Sequence, residues 1–410
     1  MNKNKRTAIP KLRLRQFKDK PQWDICKLGK IVVPVEECAG TKKYTLMSVT
    51  SGVGLVPQVE KFGREIAGSA YKNYYVIKKN DFAYNKSATK QFPEGYISML
   101  TDYTEAALPN SIFTCFRIVD EECDPRFFDH LFHNNYHGTW LRKYIEVGAR
   151  AHGSLSVDTK HLWNMPIALP KLEEQEKIAD CLSSIDDLIS VEDKKLSALK
   201  NHKKGLMQKL FPVEGKTVPE WRFPEFSNSR AWSMKSLSKI CINLDAKRIP
   251  ITGNKRKSGS TPYYGASGIV DYIDGFIFDE YLLCVSEDGA NLVARTYPIA
   301  FSISGKTWVN NHAHVLKFQN DFTQVLVENY LNHIDLSDYL TGMAQPKLNR
   351  AKLDIIPVPL PDEKEQKKIA NLLSSVDELI TAQTDKIEAL KKHKKGLMQG
   401  LFPSIEEVSR

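Results

Sequence analysis

Two stretches of the chain space their apolar residues four and three apart. The first runs Ile178, Leu182, Ile185, Ile189, Leu196, Leu199, Leu206 and Leu210; the second runs Ile369, Leu373, Val376, Ile380, Ile387, Leu390, Leu397 and Leu401. Glu192 and Lys203 fill the gaps of the first, Gln383 and Lys394 those of the second, so each seam continues across five heptads. A 3.5-residue spacing puts these side chains on one narrow stripe of a helix, which calls for a helix partner. Pro170 and Pro361 precede the stretches, glutamates follow in the first turns, and Phe-Pro closes each. About 36 residues at 1.5 Å each make a rod of roughly 54 Å. The polar gaps predict a fixed register between the helices. The plainer alternative is two amphipathic helices, each lying on its own domain. Gly205 and Gly396 mark either a close approach or a fraying last turn.

The two stretches are copies. Residues 169–212 and 360–403, aligned without a gap at an offset of 191, agree at 27 of 44 positions, and HKKGLMQKLFP recurs as HKKGLMQGLFP. Such a repeat is read before any single residue. A weaker repeat precedes each globular portion at an offset of 209: Pro10, Arg13, Phe17, Trp23, Leu28, Lys30 and Ile31 match Pro219, Arg222, Phe226, Trp232, Leu237, Lys239 and Ile240. The chain therefore divides into a lead-in and head at 1–168, a helix at 169–212, a second lead-in and head at 213–359, a second helix at 360–403 and a tail at 404–410. Residues 213–359 leave the C-terminal end of one helix and re-enter at the N-terminal end of the other. Antiparallel helices bring those points together and let a compact domain close between them. The N-terminal lead-in then falls beside the end of the second helix. The expected fold is α+β, with a globular domain at each end of an antiparallel coiled-coil pair and a pseudo-twofold internal repeat.

The heads, residues 32–165 and 241–355, share little beyond pattern. Runs 74–84, 111–119, 276–285 and 312–318 read as strands, and 126–144 and 322–336 as one helix per head. Catalytic signatures are missing. GKT at 305–307 has Ala300 where a phosphate loop needs its first glycine. His133, His137, His152 and His161 have no HExxH or acidic cluster beside them and read as ordinary packed or surface histidines. What the heads do carry is basic and polar-aromatic loops. The first offers Tyr84, Asn85, Lys86, Ser87 and Lys90. The second offers Lys247, Arg248, Lys255, Arg256 and Lys257, then Tyr263, Tyr264, Gly265, Ala266 and Ser267, with Lys306, Asn310, Asn311 and His312. Lysine and arginine neutralise phosphates, while Asn, Ser and Arg read base edges. Solvated surface loops have the same composition. Gly265 and Gly268 either admit close approach of DNA or form turns. The lysines at 203–204 and 394–395 either reach phosphates or are solvated helix ends.

Bulk composition alters this picture little. A net charge of +9 over 410 residues suits a nucleic-acid partner without requiring one. The seven cysteines are scattered with no CxxC, so no zinc site or disulfide framework is expected, nor any metal, and a reducing cytoplasm is the natural setting. The basic start has no apolar stretch behind it, as a signal peptide would, and no run of eighteen apolar residues exists to cross a membrane.

Residues 261–292, GKTWVNNHAHVL (305–316) and AQPKLNRAKLDIIPVPLP (344–361) resemble a target-recognition domain of the specificity subunit of type I restriction-modification systems. The repeated LP…EQ.KIA…LSS.D.LI and K..LMQ.LFP segments resemble that family's helical regions. The resemblance covers nearly the whole chain and is looser in the first head. It implies that each head reads half of a split double-stranded DNA site while the helix pair fixes the gap. It also implies a non-catalytic chain that itself holds no cofactor. Two methyltransferase subunits, carrying S-adenosylmethionine, would dock on it, and motor-nuclease subunits would join. Two rivals remain: a coiled-coil adaptor whose heads bind proteins without reading DNA, and a fused nuclease or methyltransferase.

Overall fold

The computed structural model describes residues 6–145, 155, 157–213, 215–342 and 344–409. His152 lies outside them. The chain forms two compact units that do not follow its linear segments. One takes the chain up to Glu192 together with the chain from Lys386; the other is Asp193–Asp385. Each unit thus owns one head and one half of each long helix. The helices span Leu172–Leu210 and Glu363–Leu401, 39 residues apiece.

In the first unit, Lys394 pairs with Asp186 at 2.5 Å and Lys386 with Glu192 at 2.6 Å. One helix is read upward while the other is read downward, so the pairing is antiparallel. In the second unit Lys203 pairs with Asp377 at 2.7 Å, the same two residue types at the repeat offset. Every residue of the expected seam is buried or half-buried, including the polar Glu192 and Gln383. Gly205 and Gly396 have open space around them, so neither marks a close approach.

The lead-in segments lock onto helix ends by one device used twice. In the first unit the Leu12 N–H donates to the Gly400 carbonyl at 2.8 Å; in the second the Trp221 N–H donates to Lys209 at 3.0 Å. A Cβ on Gly400 would lie 2.9 Å from Leu12 Cβ, which explains glycine where the other copy has lysine. Arg13 forks onto Glu174 at 2.8 and 2.7 Å, and Arg222 onto Glu365 at 2.8 and 2.5 Å, all nearly buried. Trp23 shares a core with Leu401 and Phe402, and Trp232 one with Leu210 and Phe211.

Each head is built round a four-stranded antiparallel sheet. Its order is Val32–Pro34, Phe113–Ile118, Phe82–Asn85, Tyr96–Met99 in the first head, and Cys241–Asn243, Ala313–Phe318, Leu282–Ser286, Ala300–Ile303 in the second. The heads therefore share a topology that their sequences do not display. The first adds the hairpin Met47–Thr50 and Gly54–Pro57. The second adds a mixed sheet in which Ser258–Gly265 pairs antiparallel with Gly268–Ile273 and parallel with Lys306–Val309. Both heads are α+β. The single helix expected over 126–144 is in fact two, Pro125–His133 and Tyr136–Leu141, because Asn135 takes a left-handed φ of 56°. The helix expected over 322–336 is Asp321–His333. No helix among the described residues is long and apolar enough to cross a membrane.

Candidate nucleic-acid interface

In the first head the hairpin Met47–Thr50/Gly54–Pro57 and the loop after Phe82–Asn85 face each other across an open cleft of about 650 Å³. Two side chains form its frame. Asn85 donates from Nδ2 to the Val49 carbonyl at 3.3 Å and accepts the Ser87 N–H on Oδ1 at 3.0 Å, stapling loop to hairpin. Thr89 closes a turn by accepting the Phe92 N–H at 3.1 Å, which leaves Lys90 and Gln91 exposed at the tip. Ser87 and Lys61, whose ammonium donates to Ser48 Oγ at 3.2 Å, also line the cleft. Of the five residues expected here, the structure brings Asn85, Ser87 and Lys90 together. Lys86 is half-buried and does not line the cleft, its carbonyl accepting the Leu155 N–H at 2.8 Å. Tyr84 is withdrawn from the candidates: it is 1% exposed, and its hydroxyl donates to the Glu94 carbonyl at 2.8 Å. Lys61 was not expected, because only folding brings positions 48–51 and 61 to the surface of the 85–92 loop; Gln91 lies in that loop beside Lys90 and joins the candidates.

In the second head, parallel pairing of Tyr263 with Trp308 and Tyr264 with Val309 sets the hairpin tip at Ala266–Ser267 beside the loop after Val309. The Asn310 N–H donates to the Tyr264 carbonyl at 3.0 Å, Ser286 Oγ to Ala266 at 2.5 Å, and the Glu287 N–H to His312 at 2.9 Å. Asn310 is buried, and its side chain accepts the His312 N–H at 2.8 Å, so it shapes the loop that exposes Asn311 and His312. His312 Nδ1 lies 2.8 Å from an Asp288 oxygen, a partner the sequence did not suggest. Tyr264 is half-buried and stacks on Phe301, while Lys306 is exposed beside the Phe276 ring.

Three further expectations are corrected. Tyr263 is 1% exposed and its hydroxyl accepts the Ile251 N–H at 2.9 Å, under the Arg256 guanidinium 4.4 Å above its ring. Gly265 is buried, and a Cβ there would meet Val270 at 3.1 Å and Asn310 Nδ2 at 3.3 Å, so glycine serves packing within the head. Arg248 is tied down, donating to Glu287 at 2.8 Å and to the Ala313 carbonyl at 2.8 Å. Lys247, Lys255 and Lys257 stand exposed along the 246–257 segment, with Arg256 half-buried against Asp271 at 3.2 Å. Gly268 takes a φ of 111° in the hairpin turn with open space around it.

Beneath this surface lies an ion network of Asp245, Arg248, Glu287, His314 and Lys347. His314 Nδ1 is 2.6 Å from Asp245 and its Nε2 is 2.7 Å from the Leu348 carbonyl. Asp245, Glu287 and His314 have donor atoms close enough to hold a cation. Arg248 and Lys347 already supply the positive charge, Lys347 at 3.3 Å from Glu287. Burial works to raise the Asp245 carboxyl, but the hydrogen bond and charge of His314, the Val315 N–H and Arg248 outweigh it and hold it below the usual range. Elsewhere, burial pushes His137 down to about 4 and His130, beside Lys394, down to about 3. These are packed neutral imidazoles. The lysines Lys203 and Lys394 are spent on cross-helix ion pairs, while Lys204 and Lys395 remain exposed.

The family model of the type I restriction modification DNA specificity domain matches the chain twice, over residues 24–201 and 230–392. The chain belongs to this family. Each specificity-domain match runs from the strand that leads into a head, through that head and well into its long helix. Over 284 residues the chain is 29% identical to the putative type I restriction enzyme MjaX specificity subunit of Methanocaldococcus jannaschii, covering 63% of each. It is 28% identical over 286 residues to the MjaVIII specificity subunit of the same organism, covering 63% of this chain and 66% of the other. A putative specificity subunit of Haemophilus influenzae is 32% identical over 145 residues, 35% of this chain and 37% of that one. The chain thus spans just under two thirds of the length of the first two relatives and about a third of the last. In fold it is similar to the crystal structure of a type I restriction-modification S subunit from M. genitalium (TM-score 0.61, 15% identity, 97% of this chain and 100% of that one). A chain from a structural study of the assembly and conformational transition of a type I system matches at a TM-score of 0.54, 17% identity and 93% and 98% coverage.

Proposed function

We propose that this chain is the DNA-reading subunit of a type I restriction-modification complex. One observation carries the reading: a single specificity domain occurs twice, its helices and their ion pairs repeated closely, while its two heads add different strands to the shared four-stranded sheet. Similar frames suit two copies of one partner, and dissimilar surfaces suit two different half-sites. Each head lays a polar cleft or hairpin tip against duplex DNA, with Lys61, Lys90, Lys255 and Lys257 on phosphates and Ser87, Gln91, Ser267 and Asn311 near base edges. The paired helices hold the half-sites at one separation and offer the docking frame to two methyltransferase subunits. Those subunits bring S-adenosylmethionine and methylate adenine; this chain contributes recognition and no chemistry, and motor-nuclease subunits join the same complex. A protein-binding adaptor needs neither exposed lysines at the cleft nor any salt-sensitive hold on duplex DNA.

The test is to co-express the chain with its neighbouring methyltransferase subunit and map N6-methyladenine across the host DNA. A two-part motif with a fixed gap, absent without this chain, is the expected result. No new methylation from a folded, associated pair would turn the reading towards the adaptor.

A further inference from the structure

One seat of the repeated plan is filled in the first unit and, among the described residues, open in the second. In the first, the chain leaves the long helix at Phe402 and forms the short helix Ile405–Ser409. This packs on the strand Pro166–Leu169, the helix Tyr136–Leu141 and the strand Thr7–Ala8. Ile405 and Val408 are sunk in the core, Glu407 pairs with Lys11 at 3.8 Å, and Arg6 donates to the Val408 carbonyl at 3.4 Å. The seat is marked by Pro166, whose carbonyl accepts the Tyr136 hydroxyl at 3.0 Å. The second unit repeats that mark: the Pro357 carbonyl accepts the Tyr330 hydroxyl at 3.0 Å. Around it lies a groove of about 490 Å³, with Phe211, Val213, Met234, Tyr330 and Pro359 among its walls. Met234 is the repeat counterpart of Ile25 at the 209 offset. Ile25 packs against the core that holds Ile405 and Val408, whereas Met234 is 45% exposed and Val213 64%.

We propose that this groove is a docking seat for a short amphipathic helix of a protein partner, one with two apolar residues three apart and a lysine or arginine beside them. The first unit shows what such a seat accepts, a helix reading Ile-Glu-Glu-Val. The charge is reversed in the second: Lys11, which meets Glu407, is replaced across the repeat by Glu220. Glu220 and Asp335 line the groove with Lys216 and His333, so the complementary occupant is basic where the chain's own helix is acidic. Two apolar side chains three apart lie on one helix face, as Ile405 and Val408 do where they enter the first unit's core, and the exposed Met234 and Val213 offer them apolar walls. The inference does not depend on DNA reading.

The probe is a labelled, amidated peptide of residues 401–409 carrying Glu407→Lys, titrated with the full chain and followed by fluorescence anisotropy. Saturable binding is expected, at least fivefold tighter than for the unchanged peptide. Met234→Asp, at an exposed position and with thermal melting as the folding check, weakens it at least tenfold, and Glu220→Lys reverses the preference between the two peptides. No saturable binding, or binding indifferent to both substitutions, overturns the proposal. Self-association of the full chain that Met234→Asp abolishes would assign the seat to a second copy and overturn the partner assignment.

Discussion

At the scale of single residues, Lys90 stands exposed at the tip of the first head's cleft, above the frame that Asn85 and Thr89 build. Tyr84, Asn85 and Tyr263 sit in polar, basic stretches and look available; the fold turns each inward and spends its polar atoms on backbone partners. Tyr84 and Asn85 are neighbours in the strand Phe82–Asn85, which lies inside the four-stranded sheet and is buried along its whole length, so both faces of the strand are covered. Nothing in the neighbourhood of Lys61 points to the cleft, whereas Gln91 directly follows the candidate Lys90 and shares its exposed turn. Lys90 is the residue to test: if it holds a phosphate, Lys90→Ala flattens the plot of log affinity against log salt by about 0.9 without altering the preferred site. An unchanged slope would place Lys90 off the DNA. Asp245 gives a pH signature. Its folded carboxyl ionises below the ordinary value of about 3.9, so its contribution is complete above that value and lost as pH falls through the lower folded one. Melting from pH 7 to pH 3 is expected to show the second unit weakening below about pH 4. Asp245→Asn, which takes the nearer carboxylate from His314 and leaves Arg248 on Glu287, should cost about 1–3 kcal/mol at pH 7 and show a smaller acid dependence. Equal acid dependence in both proteins would remove Asp245 from the account.

At the scale of elements, the long helices were legible because their signal is redundant: eight seam positions, two polar gaps and a second copy all agree. Two of the gap residues have partners across the pair: Lys203 and Lys394 each reach an aspartate on the opposite helix. Head topology was not legible. The shared four-stranded order rests on pairings between residues far apart in sequence, which leave no periodic trace when the loops diverge. The helix at 126–144 was misread for a local reason, two asparagines at 134 and 135 that end one helix and start another. The helix pair yields a length prediction. Inserting one heptad in each helix at matched positions adds about 10.5 Å, or roughly three base pairs at 3.4 Å each. Methylation mapping should show a wider gap with both half-sites unchanged. Altered half-sites with an unaltered gap would refute this role for the helix pair.

At the scale of the whole chain, the repeat offsets predicted the threading: the N-terminal lead-in lies beside the end of the second helix, with the Leu12–Gly400 hydrogen bond as its mark. The first unit is consequently discontinuous, and its core includes residues from the far end of the chain. Phe402, 3% exposed with its ring 5.1 Å from that of Phe127, belongs energetically to the first head. Phe402→Ala should cost about 3–5 kcal/mol and speed amide exchange around Trp23 and Phe127, leaving the four-stranded sheet of the second head protected. Faster exchange confined to the second head would contradict the threading.

That discontinuity also orders events during synthesis. The second unit is contiguous and can close as soon as Asp385 is clear of the ribosome. The first, though made earlier, waits for Met398, Leu401 and Phe402 to seal the core around Trp23. At about 5–20 residues per second the intervening residues take roughly ten to forty seconds. Throughout that interval the nascent first head carries an unsealed apolar face, the period in which a chaperone would find it and a slowed ribosome would do most harm.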